Sequence, residues 1–130
     1  MRQLEWVPVF CRNGLTGGGQ TAIRSFLPQA RLELRRMQQQ RRELHAGWSC
    51  LHLARREAFR VREAIACSQL QLEHLEQSLE HLEQFLLEDR REDVQRALIR
   101  WEASERAFRS YTAVRMALDP VLLDRMLQAS

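Results

Sequence analysis

From Leu72 to Leu86 the chain reads LEHLEQSLEHLEQFL, a pattern whose leucines return with a period of seven. Leu72, Leu79 and Leu86 form one row of a heptad, the a positions, and Leu75 and Leu82 form the d row. A stripe of this kind buries itself only against another helix. Continued toward the N-terminus, the a row holds Met37, Leu44, Leu51, Ala58 and Ile65, and the d row holds Ala54 and Val61 with the weaker Gln40, Gly47 and Ser68. Beyond Leu86 the phase slips by one residue. Val94, Trp101 and Phe108 become a, while Ala97, Tyr111 and Leu118 become d.

The polar run from Glu88 to Asp93 lies at the slip and predicts a turn there. Folding back around residue 90 sets Leu86 near Val94, Leu82 near Leu98, Leu79 near Trp101 and Leu72 near Phe108, so apolar meets apolar along the seam. The same fold lays Arg96, Arg100, Arg106 and Arg109 beside Glu73, Glu76, Glu80 and Glu83. Exposed pairs of this type contribute only about 0–1 kcal/mol each, so they select a partner more than they stabilise it. A rival turn at Gly47-Trp48-Ser49 has the helix-breaking residue but keeps heptad phase through it. A third arrangement has no turn, and its helix of roughly 130 Å would have to dimerise.

Between Gln29 and Leu118 there is no proline and one glycine, Gly47. Residues 1–28 differ in kind: a short strand-like scrap of Val7, Val9 and Phe10 surrounds Pro8, and Gly14 and Gly17-Gly18-Gly19 follow. They read as a flexible N-terminal arm, with Ser25 and Pro28 opening the first helix. At the other end Asp119-Pro120 stops the long helix and starts a short one over 119–130, Asp as N-cap and Pro in the first turn. The expected fold is all-α: a long antiparallel coiled-coil helical hairpin over 29–118, a flexible N-terminal arm and a short C-terminal helix.

Composition sharpens this picture in two respects. All twenty basic residues are Arg, a guanidinium excess suited to carboxylates or phosphates but also the mark of a G+C-rich genome. Charge is also laid out in blocks: residues 30–62 carry nine Arg against three Glu, and 63–93 carry nine acids against two Arg. The two blocks can attract each other, in a hairpin or in an antiparallel dimer. Cys11, Cys50 and Cys67 have no CxxC or zinc-type spacing and read as reduced thiols. Glu5, Pro8 and Arg12 interrupt any signal-peptide core, and no uncharged run approaches the roughly 20 residues that span a bilayer. A cytoplasmic protein without a membrane span is expected.

Candidate chemistry is thin. His45 and His52, like His74 and His81, stand seven apart, which separates their rings by about 10.5 Å along a helix, too far to share one ion. They read as solvated histidines. No Glu precedes a His by three residues, as inward-facing diiron motifs require. LTGGGQTA lacks the Lys-Ser/Thr of a phosphate loop. No cofactor, metal or catalytic activity is expected. Arg35, Arg36, Arg41, Arg42, Arg55 and Arg56 form the main basic feature, and Trp48 beside them reads as seam packing or, if a long helix exposes it, as an interface anchor. They are the expected partner-binding residues, for an acidic protein surface in preference to nucleic acid, because the aromatic interleaving and fold motifs of nucleic-acid modules are missing. Leu72, Leu75, Leu79, Leu82, Leu86, Trp101, Phe108 and Tyr111 are the expected helix seam.

The segment Ala97–Tyr111 resembles the second helix of the flagellar export stalk protein FliJ and its type III secretion counterparts, the YscO class. The likeness lies in a Trp, an apolar or aromatic residue seven later and an aromatic ten later, here Trp101, Phe108 and Tyr111. It extends over about 70–118. The resemblance implies a cytoplasmic, non-enzymatic stalk that sits in the ring of an export ATPase and touches the export gate or escorts chaperones. Two other classes stay open: a self-assembling scaffold or adaptor, including a homodimer, that uses the same seam between chains, and an Arg-rich nucleic-acid-binding helix.

Overall fold

The computed structural model describes residues 3–13 and 19–129. A 3-10 turn, Gln3–Trp6, leads into α1 (Val7–Asn13); then come three long helices, α2 (Gly19–Ser49), α3 (Arg55–Glu88) and α4 (Arg91–Ala129). No strand occurs among the described residues. The long helices run up, down and up: α3 packs most extensively on α4, α2 lies against α3, and α1 wedges between α2 and α4.

The turn expected near residue 90 is present, with Asp89 closing α3 in the left-handed conformation (φ 53°, ψ 36°) and its N–H bonded to Phe85 O at 2.8 Å. Asp is among the few residues that adopt this conformation at modest cost. Gln20 Nε2 donates to Asp89 Oδ1 at 2.7 Å and so ties the start of α2 to that turn. The chain turns near residue 50 as well. Cys50 N–H and Leu51 N–H bond back to Gly47 O and Trp48 O, and Glu57 Oε1 accepts from Ala54 N–H at the start of α3. The segment expected as one long arm of a hairpin is therefore two helices.

Phase explains the second turn. In α2 the buried stripe is Ile23, Phe26, Leu27, Ala30, Leu34 and Trp48, with Met37 and Leu44 half-buried; Gln40 and Gly47, the expected d positions, face solvent. The second row of α2 thus runs through Leu27, Leu34, Arg41 and Trp48, one residue past d. In α3 the d row (Val61, Ser68, Leu75, Leu82) is buried together with the row preceding a (Ala64, Gln71, Ser78, Phe85). A helix flanked by two others needs a face wider than a two-stranded seam.

The two ends also depart from expectation. Residues 3–13 are helical, and Leu4, Val7 and Cys11 are buried in one core cluster with Ile23, Phe26 and Leu27. No strand forms around Pro8, which occupies the second position of α1, where a missing N–H leaves nothing unmade. Gly14, Gly17 and Gly18 of the expected flexible arm lie outside the described residues. Helix α2 starts at Gly19 rather than Ser25 and carries Pro28 inside it. An interior proline costs about 3 kcal/mol, but burying Ile23, Phe26 and Leu27 contributes about 1.5–3 kcal/mol each. Pro28 and Arg24 are both exposed, so water reaches the carbonyl that Pro28 cannot serve. The same logic carries α4 through Pro120 to Ala129 in place of a separate C-terminal helix: Leu118 and Leu122 on either side are buried, and Pro120 faces solvent.

Small side chains set the closeness of α3 and α4. Ala64, Ser68, Ser78, Ala97 and Ser104 are all buried, and Ser78 Oγ donates to Ala97 O at 2.7 Å across the interface. The expected α3–α4 charge ladder does not form. Glu83 pairs with Arg31 of α2, Arg96 with Asp93 of its own helix, and Arg100 Nη1 lies 3.4 Å from His74 Nδ1. The acidic row faces the basic block of α2, so the charge blocks attract each other across α2 and α3.

Candidate functional site

Five of the seven expected partner-binding residues lie on the surface. Arg35, Arg36 and Arg42 are exposed on α2, and Arg55 and Arg56 are exposed on the first turn of α3. No ion pair among the described residues joins Arg35, Arg36, Arg42, Arg55 or Arg56 to an acid. Arg42 Nη2 donates to Gln39 Oε1 at 2.8 Å on the same exposed face.

Arg41 and Trp48 do not belong to that face. Both lie on the buried stripe of α2, and Trp48 is 4% exposed within the second core cluster, beside Val61, Tyr111 and Val114. In place of an exposed anchor, the structure builds an internal joint where the gap between α2 and α4 is spanned by large side chains. The Arg41 guanidinium donates to Ser68 Oγ at 2.8 Å and lies 4.4 Å from the Tyr111 ring centroid and 5.9 Å from that of Phe108. Arg115 of α4 joins the same group, 5.5 Å from the Tyr111 ring centroid and 5.8 Å from that of Trp48. The electron-rich ring faces attract the cations. Arg115 Nε also donates to Asp119 Oδ1 at 3.3 Å, so the rings and that carboxylate together keep two like charges in one joint.

His45 completes it. Its Nε2 is 3.1 Å from the Tyr111 hydroxyl, and its ring is 4.7 Å from Trp48 and edge-on to Tyr111. Burial holds the His45 pKa below its ordinary value, and the positive charges of Arg41 and Arg115 lower it further. A neutral ring can accept the phenol's hydrogen, so the buried Tyr111 hydroxyl is satisfied without bringing a third cation into the joint. His45 is therefore a packed residue and not the solvated one that its sequence position suggested.

The expected seam is mostly inside. Leu75, Leu79, Leu82 and Tyr111 are buried; Leu72, Leu86 and Trp101 are half-buried against the first core cluster. Phe108 is the exception at 38% exposed. Trp101 and Phe108 line a small pocket of about 120 Å³ with Leu4, Met37 and Leu75. A larger open groove of about 580 Å³ runs between α2 and α3, with Arg41, Arg42 and His45 on one wall and Glu73 and Glu76 on the other. No group of three or more His, Cys, Asp or Glu among the described residues is placed to hold a metal ion. No helix among them is long and apolar enough to cross a membrane.

The joint was partly legible. Tracing the α2 stripe from Ile23 in steps of three and four reaches Arg41 and Trp48 directly, whereas a register inherited from Leu72 does not. No match emerges when the chain is compared with known protein families, with curated proteins or with solved structures. The reading of its surfaces therefore stands on their geometry and chemistry.

Proposed function

We propose that this is a non-enzymatic helical interaction protein that docks an acidic protein surface on the outer face of α2 and the first turn of α3. The observation that supports this reading is the exposed set Arg35, Arg36, Arg42, Arg55 and Arg56, none of which is paired with an acid among the described residues. Arginine suits the task because its planar fork meets carboxylates in two parallel bonds. In its most specific form the partner is an export ATPase or export gate, and the chain acts as the cytoplasmic stalk of a type III secretion apparatus. Support for that form comes from the Trp101, Phe108 and Tyr111 spacing on α4, which packs antiparallel to α3.

The test is stimulation of a purified export ATPase from the same organism. Replacing Arg35, Arg36, Arg55 and Arg56 together by Glu is expected to abolish binding and stimulation while leaving the helical circular-dichroism signal unchanged. Stimulation that survives the reversal removes the basic face from the mechanism. Absence of any binding to the ATPase or gate removes the export reading and leaves an acidic partner to be found.

A further inference from the structure

Helix α4 outlasts the helix beside it. Arg115 lies over Trp48, one residue before the end of α2 at Ser49, so the part of α4 beyond about Met116 has no α2 opposite it. Helix α3 still accompanies it, as Glu57 shows by receiving Arg125 at 3.1 and 3.2 Å. The flank turned away from α3 is apolar and open: Met116 is 75% exposed, Leu123 57%, Met126 54% and Leu127 67%, with Phe108 at its upstream edge. A face this apolar exceeds the scattered hydrophobics normal on a protein surface.

We propose that this flank pairs with the same flank of a second copy, as an antiparallel helix pair about a two-fold axis. Two observations name a second copy as the occupant. Met116, Pro120, Leu123 and Leu127 are spaced four, three and four residues apart, a heptad seam that reads the same in both directions. An antiparallel twin therefore sets Met116 against Leu127 and Pro120 against Leu123, twice over, and no charged residue falls within the stripe. Area agrees as well. Met116, Leu123, Met126 and Leu127 offer on the order of 450 Å² of apolar surface, close to what a standard interface of about 800 Å² per partner needs if roughly 60–65% of it is apolar. This surface is separate from the basic face, and the inference does not rest on the export reading. It also differs from a dimer through the leucine seam, because Leu75, Leu79 and Leu82 are already buried within one chain.

Sedimentation equilibrium of the purified chain tests it without any partner. The wild type is expected to show a concentration-dependent monomer–dimer equilibrium. Met116→Asp with Leu123→Asp is expected to weaken it at least ~100-fold, with the circular-dichroism spectrum kept because both positions are exposed. Register has its own arm. Met116→Glu and Leu127→Lys should each be monomeric alone and should associate when mixed, since only the mixed pair sets Glu against Lys. A wild type that stays monomeric up to about 200 µM, or a dimer indifferent to Met116→Asp with Leu123→Asp, overturns the proposal. Failure of the mixture to associate overturns the antiparallel pairing.

Discussion

Arg41→Ala separates an arginine built into the joint from one displayed for a partner. The substitution removes a charged hydrogen bond to Ser68 Oγ and the contact with the Tyr111 ring at 4.4 Å. A hydrogen bond to a charged group is worth about 1.5–3 kcal/mol, and a partly desolvated cation over an aromatic ring about 0.5–2 kcal/mol. The two overlap, and losing Arg41 also relieves its repulsion with Arg115, so the net cost should be about 2–3 kcal/mol. For a chain of this size that lowers the melting temperature by about 8–10 °C. Arg36→Ala, on the exposed side of the same helix, should stay within about 0.5 kcal/mol of wild type. Urea and thermal unfolding followed by circular dichroism measure both. A double-mutant cycle with Ser68→Ala should return a coupling of at least about 0.5 kcal/mol. If Arg41→Ala unfolds with the wild type, or costs no more than Arg36→Ala, the joint does not hold α2 to the other helices.

Leu79→Ala and Leu82→Ala, at positions with no exposed surface, should each cost about 3–5 kcal/mol in the same unfolding assay; values near 1 would place these leucines outside the core. Pro28→Ala should stabilise by about 1–3 kcal/mol, because it restores the Arg24 carbonyl's partner in a continuous α2; a loss of stability would mean that α2 begins after residue 24. His45 has its pKa lowered by folding, so its contribution is complete above the unfolded value of 6.5 and is lost as pH falls through the lower folded value. His45→Gln should flatten that limb of a stability-versus-pH curve, and an unchanged limb would remove His45 from the pH dependence. Glu57 is likewise lowered, first by its hydrogen bonds from Arg125 and then by the Ala54 N–H. Its contribution is present above 4.5 and lost on further acidification, so Arg125→Gln should remove the part of the acid limb that begins there; an identical limb would sever the α3–α4 contact from stability.

Legibility followed the reach of each signal. The heptad from Leu72 to Leu86 marked α3, and the phase slip with its polar run located the turn at Asp89 and Arg90, because both are local properties of one helix and its end. The turn after Ser49 was legible only as a rival to the one near 90, although matching phase on two sides of a gap does not require a continuous helix between them. The weak d residues Gln40 and Gly47 were the available warning. Pro28, Pro120 and the short α1 misled for a shared reason: their local cost is fixed, while the burial that outweighs it comes from residues distant in sequence. In the candidate site, the exposure of Arg35, Arg36, Arg42, Arg55 and Arg56 followed from their helix positions. The inward placement of Arg41, His45 and Trp48 depended on which helix faced α2.

The order of apolar and polar residues determined by itself that this chain is helical, where its strongest seam lies and that its basic and acidic blocks can attract each other. Tertiary structure decided that three long helices share the core, that Glu83 answers Arg31 of α2, and that two arginines and a histidine serve the interior while the end of α4 is left bare. The reason is geometric. Periodicity specifies which face of a helix must be covered, but the number of neighbours covering it, and where each of them stops, depends on how several such faces close around one another.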